Sequence, residues 1–230
     1  MKLGIMQAYF FPYIGYWQLL NYVDTYVVYD DVNFIKGGWI NRNYILSNGD
    51  RLLLTLNLKQ ASPNKCINEI KIGDNQKKIL KTIFQFYSKA PYFNSVYPLI
   101  EEIFSTNEQN LAFFLLNSIK KIVDFLEIKT RILLSSEIDK NNALKGQDKV
   151  LEICTILGAD TYVNALGGMD LYETDAFKKN NMELFFLKPL DVGYKQFPGV
   201  FEKNLSIIDV LMFNSPDEVR NQLAQFELLK

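Results

Sequence analysis

The chain of 230 residues contains no histidine. That absence removes the usual general base near neutral pH, the His-activated Ser or Cys nucleophile, and the commonest zinc ligand. Cysteine is nearly as scarce. Cys66 and Cys154 are the only two, far apart in sequence and outside any CxxC spacing. They read as ordinary thiols of a reducing compartment, not as a disulfide framework or a metal site. Neither charge dominates: 25 Lys and Arg face 26 Asp and Glu, so the basic footprint of a nucleic-acid binder is missing. No apolar run of about eighteen residues occurs, so no membrane span is predicted. The apolar N-terminus carries Gln7, Pro12 and Gly15 and no small-residue cleavage site. It does not read as a signal peptide, and a cytoplasmic location is expected.

What the chain does have is apolar and aromatic mass. Hydrophobic residues make up 48% of it, enough for a core without disulfides or structural metal. Thirteen Tyr and seventeen Phe are open to two readings. One is an aromatic-rich core. The other is a site in which Tyr supplies flat contact area and a hydrogen-bonding tip for a sugar or base.

Hydrophobic periodicity predicts strands at 2–6, 25–29, 51–58, 67–72, 131–134, 161–164 and 183–187. It predicts helices at 15–23, 75–87, 97–104, 111–126, 147–157 and 216–226. Asn48-Gly49 is a hairpin turn signal, Gly158 a helix C-terminal glycine, and Ser206 a helix N-cap. Strands alternate with helices through connections too long for hairpins. The expected fold is one α/β domain over 1–230, Rossmann-like, with a largely parallel central sheet flanked by helices and a helical segment at about 75–128 packed on it.

In such sheets ligands collect beyond the carboxyl ends of the strands. Three loops fit that rule. The first runs from Gln7 to Trp17 and includes Tyr9, Pro12, Gly15 and Tyr16. Its Tyr13-x-Gly15-Tyr16 faintly resembles the HxGH motif of the nucleotidyltransferase superfamily, with Tyr at both His positions. Gly15 would let a ligand or a neighbouring helix approach closely. The second loop starts at Asp30-Asp31. Adjacent strand residues point to opposite faces, so Asp30 is read as a strand-end cap and Asp31 as a base or acceptor for a substrate amine; no protein-held metal is expected. Asn33 and Lys36 follow. Beyond them Trp39, Asn41 and Asn43 share one face of an extended segment, where Asn can match sugar hydroxyls. Arg42, with Lys36, can hold a diphosphate. The alternative is a surface strand with a solvated Arg. The third loop follows Asn164: Gly167-Gly168 can present amides to a phosphate or form a plain turn, with Asp170 and Tyr172 beside it. Tyr194 and Gln196 are further candidate substrate contacts.

Gln7-Ala8-Tyr9-Phe10-Phe11-Pro12-Tyr13-Ile14-Gly15-Tyr16-Trp17 and Asp30-Asp31-Val32-Asn33-Phe34-Ile35-Lys36, followed by Trp39-Ile40-Asn41-Arg42-Asn43, resemble the WbqC-like family. These are bacterial proteins associated with O-antigen and surface-polysaccharide gene clusters. The likeness extends from about residue 3 to residue 213. The family often has His-Gln-Pro where this chain has Met6-Gln7-Ala8, so a family His there is not essential here. The resemblance implies a transferase that N-acylates a nucleotide-linked deoxyamino sugar, with an acyl donor such as acyl-CoA. Asp31 would take the proton, Lys36 and Arg42 would hold phosphate, and Tyr16, Asn41 and Asn43 would orient the sugar or acyl carbonyl. Two alternatives stay open: an ATP- and magnesium-dependent amide-forming ligase of nucleotidyltransferase-like fold, and a non-catalytic nucleotide-sugar binding protein.

Overall fold

A computed structural model describes all 230 residues. In chain order the elements are β1 (Lys2–Met6), α1 (Ile14–Tyr22), β2 (Thr25–Val28), β3 (Arg42–Ser47), β4 (Asp50–Thr55), β5 (Leu58–Lys59), β6 (Lys71–Ile72), α2 (Gln76–Tyr87), α3 (Phe93–Phe104), α4 (Leu111–Phe125), β7 (Arg131–Leu134), α5 (Gly146–Leu157), β8 (Thr161–Ala165), α6 (Thr174–Lys179), β9 (Glu183–Pro189), α7 (Ile207–Phe213), α8 (Pro216–Leu223) and β10 (Phe226–Leu229).

The main sheet has the order β10-β9-β8-β1-β2-β7, and every neighbouring pair is parallel except β9–β10. The strand β1 lies between its first successor β2 and the late strand β8. The chain therefore reverses its direction of sheet growth at the β1–β8 boundary, the place where a crevice forms in doubly wound folds. Period-two alternation sends successive residues to opposite faces. Leu3, Ile5, Val27 and Tyr162 pack with Val150, Ile153 and Cys154 of α5 and Phe177 of α6. Tyr26, Val28 and Val163 join the larger cluster on the other face, which includes Leu19 and Leu20 of α1 and extends through α2, α3 and α4. A parallel sheet covered by helices on both faces is thus the fold, as the alternation of elements predicts. No helix is long and apolar enough to cross a membrane.

Several boundaries differ from the sequence reading. The expected strand at 67–72 is a 3-10 turn, Ile67–Glu69, followed by the two-residue β6; the Glu69 carboxylate accepts the Cys66 N–H and caps that turn. The 51–58 strand breaks after Thr55, because the Leu56 N–H turns aside to the Asn41 carbonyl. The last helix stops at Leu223, and Phe226–Leu229 becomes an antiparallel edge strand on β9. The helix α7 begins where the Ser206 cap places it, whereas α6 and the 3-10 segment Leu166–Leu171 lie outside the elements that periodicity predicts. Asn48 and Gly49 sit at φ 52° and 89° in the β3–β4 turn, the left-handed pair such a hairpin needs. Gly158 ends α5 at φ 70°. The Ser206 hydroxyl accepts the Ile208 N–H as N-cap of α7 and donates to the Phe11 carbonyl.

Candidate functional site

The aromatic loop after β1 divides its labour. Phe10, Phe11, Tyr16 and Trp17 are buried, while Tyr9 and Tyr13 face an open cleft. Phe11 is held at φ 43°, a strained conformation for a bulky residue. Its carbonyl accepts from Asn43 Nδ2 and Ser206 Oγ, both at 2.8 Å. Two distant segments thereby pin the bend that aims Tyr9 and Tyr13.

The cleft lies at the β1–β8 boundary and has two lobes. The larger, of about 600 Å³, is lined by Met6, Gln7, Tyr29 and Val32 from the β1 and β2 ends, Gly146, Gln147 and Val150 of α5, and Asn164, Gly168, Leu171 and Tyr172 beyond β8. No Asp, Glu, Lys or Arg lines it. The second lobe, of about 540 Å³, adds Pro12, Asn43, Leu166, Lys188, Asp191 and Asn204. Tyr9, Tyr13, Trp39 and Gly167 line both lobes and form the junction. Burial raises the Tyr9 and Tyr13 hydroxyls above the ordinary phenol value, and the neighbouring Tyr13 adds to the effect at Tyr9. Both stay protonated at neutral pH and can donate into the junction.

The sequence-predicted residues separate into three groups. Gln7, Tyr9, Pro12, Trp39, Asn43, Asn164, Gly167, Gly168 and Tyr172 come together in the cleft. Two of these spend their polar groups on the frame. Asn43 holds the Phe10–Phe11 bend, and the Asn164 amide donates to the Tyr162 and Tyr172 hydroxyls, both at 2.9 Å.

A second group lies near the cleft but outside its walls. Tyr16 is 1% exposed, packed edge-on or tilted against Tyr9, Trp17 and Tyr26 in the core. Its hydroxyl cannot orient a substrate there. Gly15 does admit a close approach, but of protein: a Cβ there would come within 2.6 Å of the Tyr13 ring and 2.7 Å of Pro189 Cγ. Gly15→Ala should cost about 1–3 kcal/mol by overpacking and push Tyr13 out of position. Thermal unfolding read alongside the quenching of Trp39 emission checks this, and an unshifted melting curve would refute it.

The third group faces elsewhere. Lys36, Asn41 and Arg42 line a separate cavity of about 340 Å³ behind the Gly37–Gly38 turn. The Arg42 guanidinium braces that turn through the Gly37 and Gly38 carbonyls, and Asn41 donates to Leu56. Asn33 and Asp170 are exposed. Tyr194 Oη and Gln196 Nε2 donate to Asp209 Oδ1 at 2.6 and 2.7 Å, while Tyr87 Oη takes Oδ2 at 2.7 Å. These groups clamp the 194–202 segment onto α7. Burial raises the Asp209 carboxyl above the ordinary value, only partly opposed by its three donors.

Asp31 is engaged by two lysines. Its Oδ2 lies 2.8 Å from Lys140 Nζ and 3.0 Å from Lys149 Nζ, whose side chains are 1% and 7% exposed. Burial works to raise the Asp31 carboxyl, but the two ammoniums prevail and hold it below the ordinary value. A carboxylate so stabilised is a poor base. Asp30 does act as a cap, accepting from Ser136 N and Oγ and from Asn68 Nδ2.

Residues 7–221 match the WbqC-like protein family. The chain belongs to that family. It is also similar to an uncharacterized protein of Mycobacterium tuberculosis, 28% identical over 229 residues that cover 95% of this chain and 97% of the other. No solved structure matches the chain. In this WbqC-like chain the sequence reading names Tyr13 only as standing in for a motif His, and it passes over Tyr29, Lys188 and Asp191. Tyr29 directly follows β2, and Lys188 and Asp191 lie at and beyond the carboxyl end of β9. The strand-end rule that selected three loops applies equally to this fourth one.

Proposed function

We propose that the cleft binds a nucleotide-linked amino sugar and that the chain N-acylates it during surface-polysaccharide synthesis. The observation that carries this reading is the division of one cleft into an uncharged lobe and a lobe bearing Lys188 and Asp191, joined at two protonated Tyr hydroxyls. The family's association with polysaccharide gene clusters supports it from a separate direction.

Lys188 and the polar lobe suit the phosphates and sugar of one substrate. The junction suits the reacting centre. The sugar amine attacks the carbonyl carbon of an acyl thioester; the N–C bond forms, the C–S bond breaks, and the thiolate leaves. The amine proton passes to the departing sulfur, directly or through water; Asp191, the sole carboxylate lining either lobe, is paired with Lys203 at 2.8 Å and is not needed as a base. Tyr9 and Tyr13 donate to the carbonyl oxygen as its negative charge grows, the preorganised stabilisation that acyl transfer needs. The uncharged walls favour a neutral amine over an ammonium, which keeps the nucleophile available without histidine.

The test is a thermal-shift panel of nucleotide-linked amino sugars, their unaminated parents, acyl-CoAs, and ATP with magnesium. A ligand at about a hundred times its dissociation constant adds roughly 2.7 kcal/mol, a shift on the order of 5–11 °C for a chain of this size. The amino sugar nucleotide should shift the protein and its parent should not. Lys188→Ala should weaken that binding about tenfold, whereas Arg42→Ala should leave it within twofold. A shift with ATP and magnesium alone would favour the ligase reading, and binding without turnover the non-catalytic one.

A further inference from the structure

The rim of the cleft is unusually greasy for a polar-substrate site. Ile35, Trp39 and Leu171 of the larger lobe are 51%, 44% and 68% exposed, and Leu166 and Leu190 of the second lobe are 37% and 41% exposed. Five of the chain's large exposed hydrophobics therefore converge on one opening. Scattered surface hydrophobics need no explanation, but a contiguous set rimming a cavity marks a binding site. Behind Ile35, Trp39 and Leu171 lies the lobe with no charged side chain. A nucleotide diphosphate has nothing to answer it there, and an acetyl group would leave most of that wall uncovered.

We infer that the uncharged lobe receives an aliphatic acyl chain of several carbons, so that the preferred donor is a medium-chain acyl thioester and not an acetyl one. This rests on the acyl-transfer reading above and specifies its donor. The chain lies along Val150, Leu171 and Tyr172, with the thioester carbonyl at the Tyr9–Tyr13 junction. The polar lobe is left to the sugar nucleotide.

The experiment is calorimetric titration of the full chain, without acceptor, against CoA and its acetyl, butanoyl, hexanoyl and octanoyl thioesters, all below their micellar concentrations. Burial of each added methylene should tighten binding roughly threefold to fourfold, and hexanoyl-CoA should bind at least tenfold tighter than acetyl-CoA. Leu171→Asp, at an exposed position, should abolish the gradient. Val200→Asp, at an 84% exposed position that lines neither lobe, should preserve it. Equal affinities across the series would overturn the inference, as would a gradient that survives in Leu171→Asp. If affinities are equal while an amino sugar nucleotide binds, the donor inference falls and the acyl-transfer reading stands. If the gradient appears but no amino sugar nucleotide binds, the acyl pocket stands and the acceptor assignment falls.

Discussion

Asp31→Asn should lower the unfolding free energy by about 3–5 kcal/mol, the cost of leaving a buried charge without its partner. Lys140 and Lys149 both converge on Asp31 Oδ2 from nearly water-free positions, so the amide would leave two ammoniums facing each other. For a chain of this size the melting temperature should fall by on the order of 10 °C. The pH dependence separates this cause from a lost packing contact. The Asp31 carboxyl is held below its ordinary value, so its contribution is present above about pH 4 and is lost as pH falls through the folded value. The gap between wild type and variant should therefore narrow in acid. A variant as stable as the wild type at pH 7, measured by urea unfolding, would mean that the lysines find other partners. Large loss of activity with intact stability would instead restore Asp31 as the base.

Asp209→Ala should be the other severe change. Removing this carboxylate strands the Tyr87, Tyr194 and Gln196 donors in a buried setting. Each unsatisfied group costs about 1–3 kcal/mol. Part of that is returned, because the variant no longer has to bury a charge, and the net loss should be roughly 3 kcal/mol. Asp209→Asn retains one acceptor oxygen and should lose less. Here the sign with pH is opposite to that of Asp31. The Asp209 carboxyl is raised in the folded state, so its contribution is fully present below about pH 4 and is lost as pH rises through the folded value. Denaturant titrations at pH 5 and pH 8 should show the larger wild-type advantage at pH 5. A larger advantage at pH 8 would contradict the assignment. Because the 194–202 segment hangs on this cluster, limited proteolysis of the Ala variant should cut there first.

The two groups explain why the sheet could be read from sequence and much of the site could not. Strand and helix placement follows from local periodicity, which the chain displays plainly in β1, β2, α4 and α5. The strand-end rule then located the cleft through the β1 and β8 loops. What periodicity leaves out is which way a polar side chain turns once a distant segment arrives. Asp31 looked like a free carboxylate because Lys140 and Lys149 lie more than a hundred residues away. Tyr194 and Gln196 looked like ligands for a sugar because their acceptor, Asp209, read as part of an ordinary helix start. Gly15 invited a ligand on paper, and Tyr13 and Pro189 took the space. Lys149 was the one local clue: it directly precedes Val150 on the buried face of α5, where a lysine needs an anion.

The position of β1 has a consequence for synthesis. Its inner neighbours are β2, made almost at once, and β8, whose Thr161 pairs with Lys2. At ordinary elongation rates of roughly 5–20 residues per second, the middle strand of the future sheet waits on the order of ten to thirty seconds with one edge bare. Through that interval the nascent chain offers other polypeptides the hydrogen-bonding edge that β8 later covers. Ribosome pausing before residue 161 should raise aggregation sharply, and pausing after β8 has emerged should have little effect.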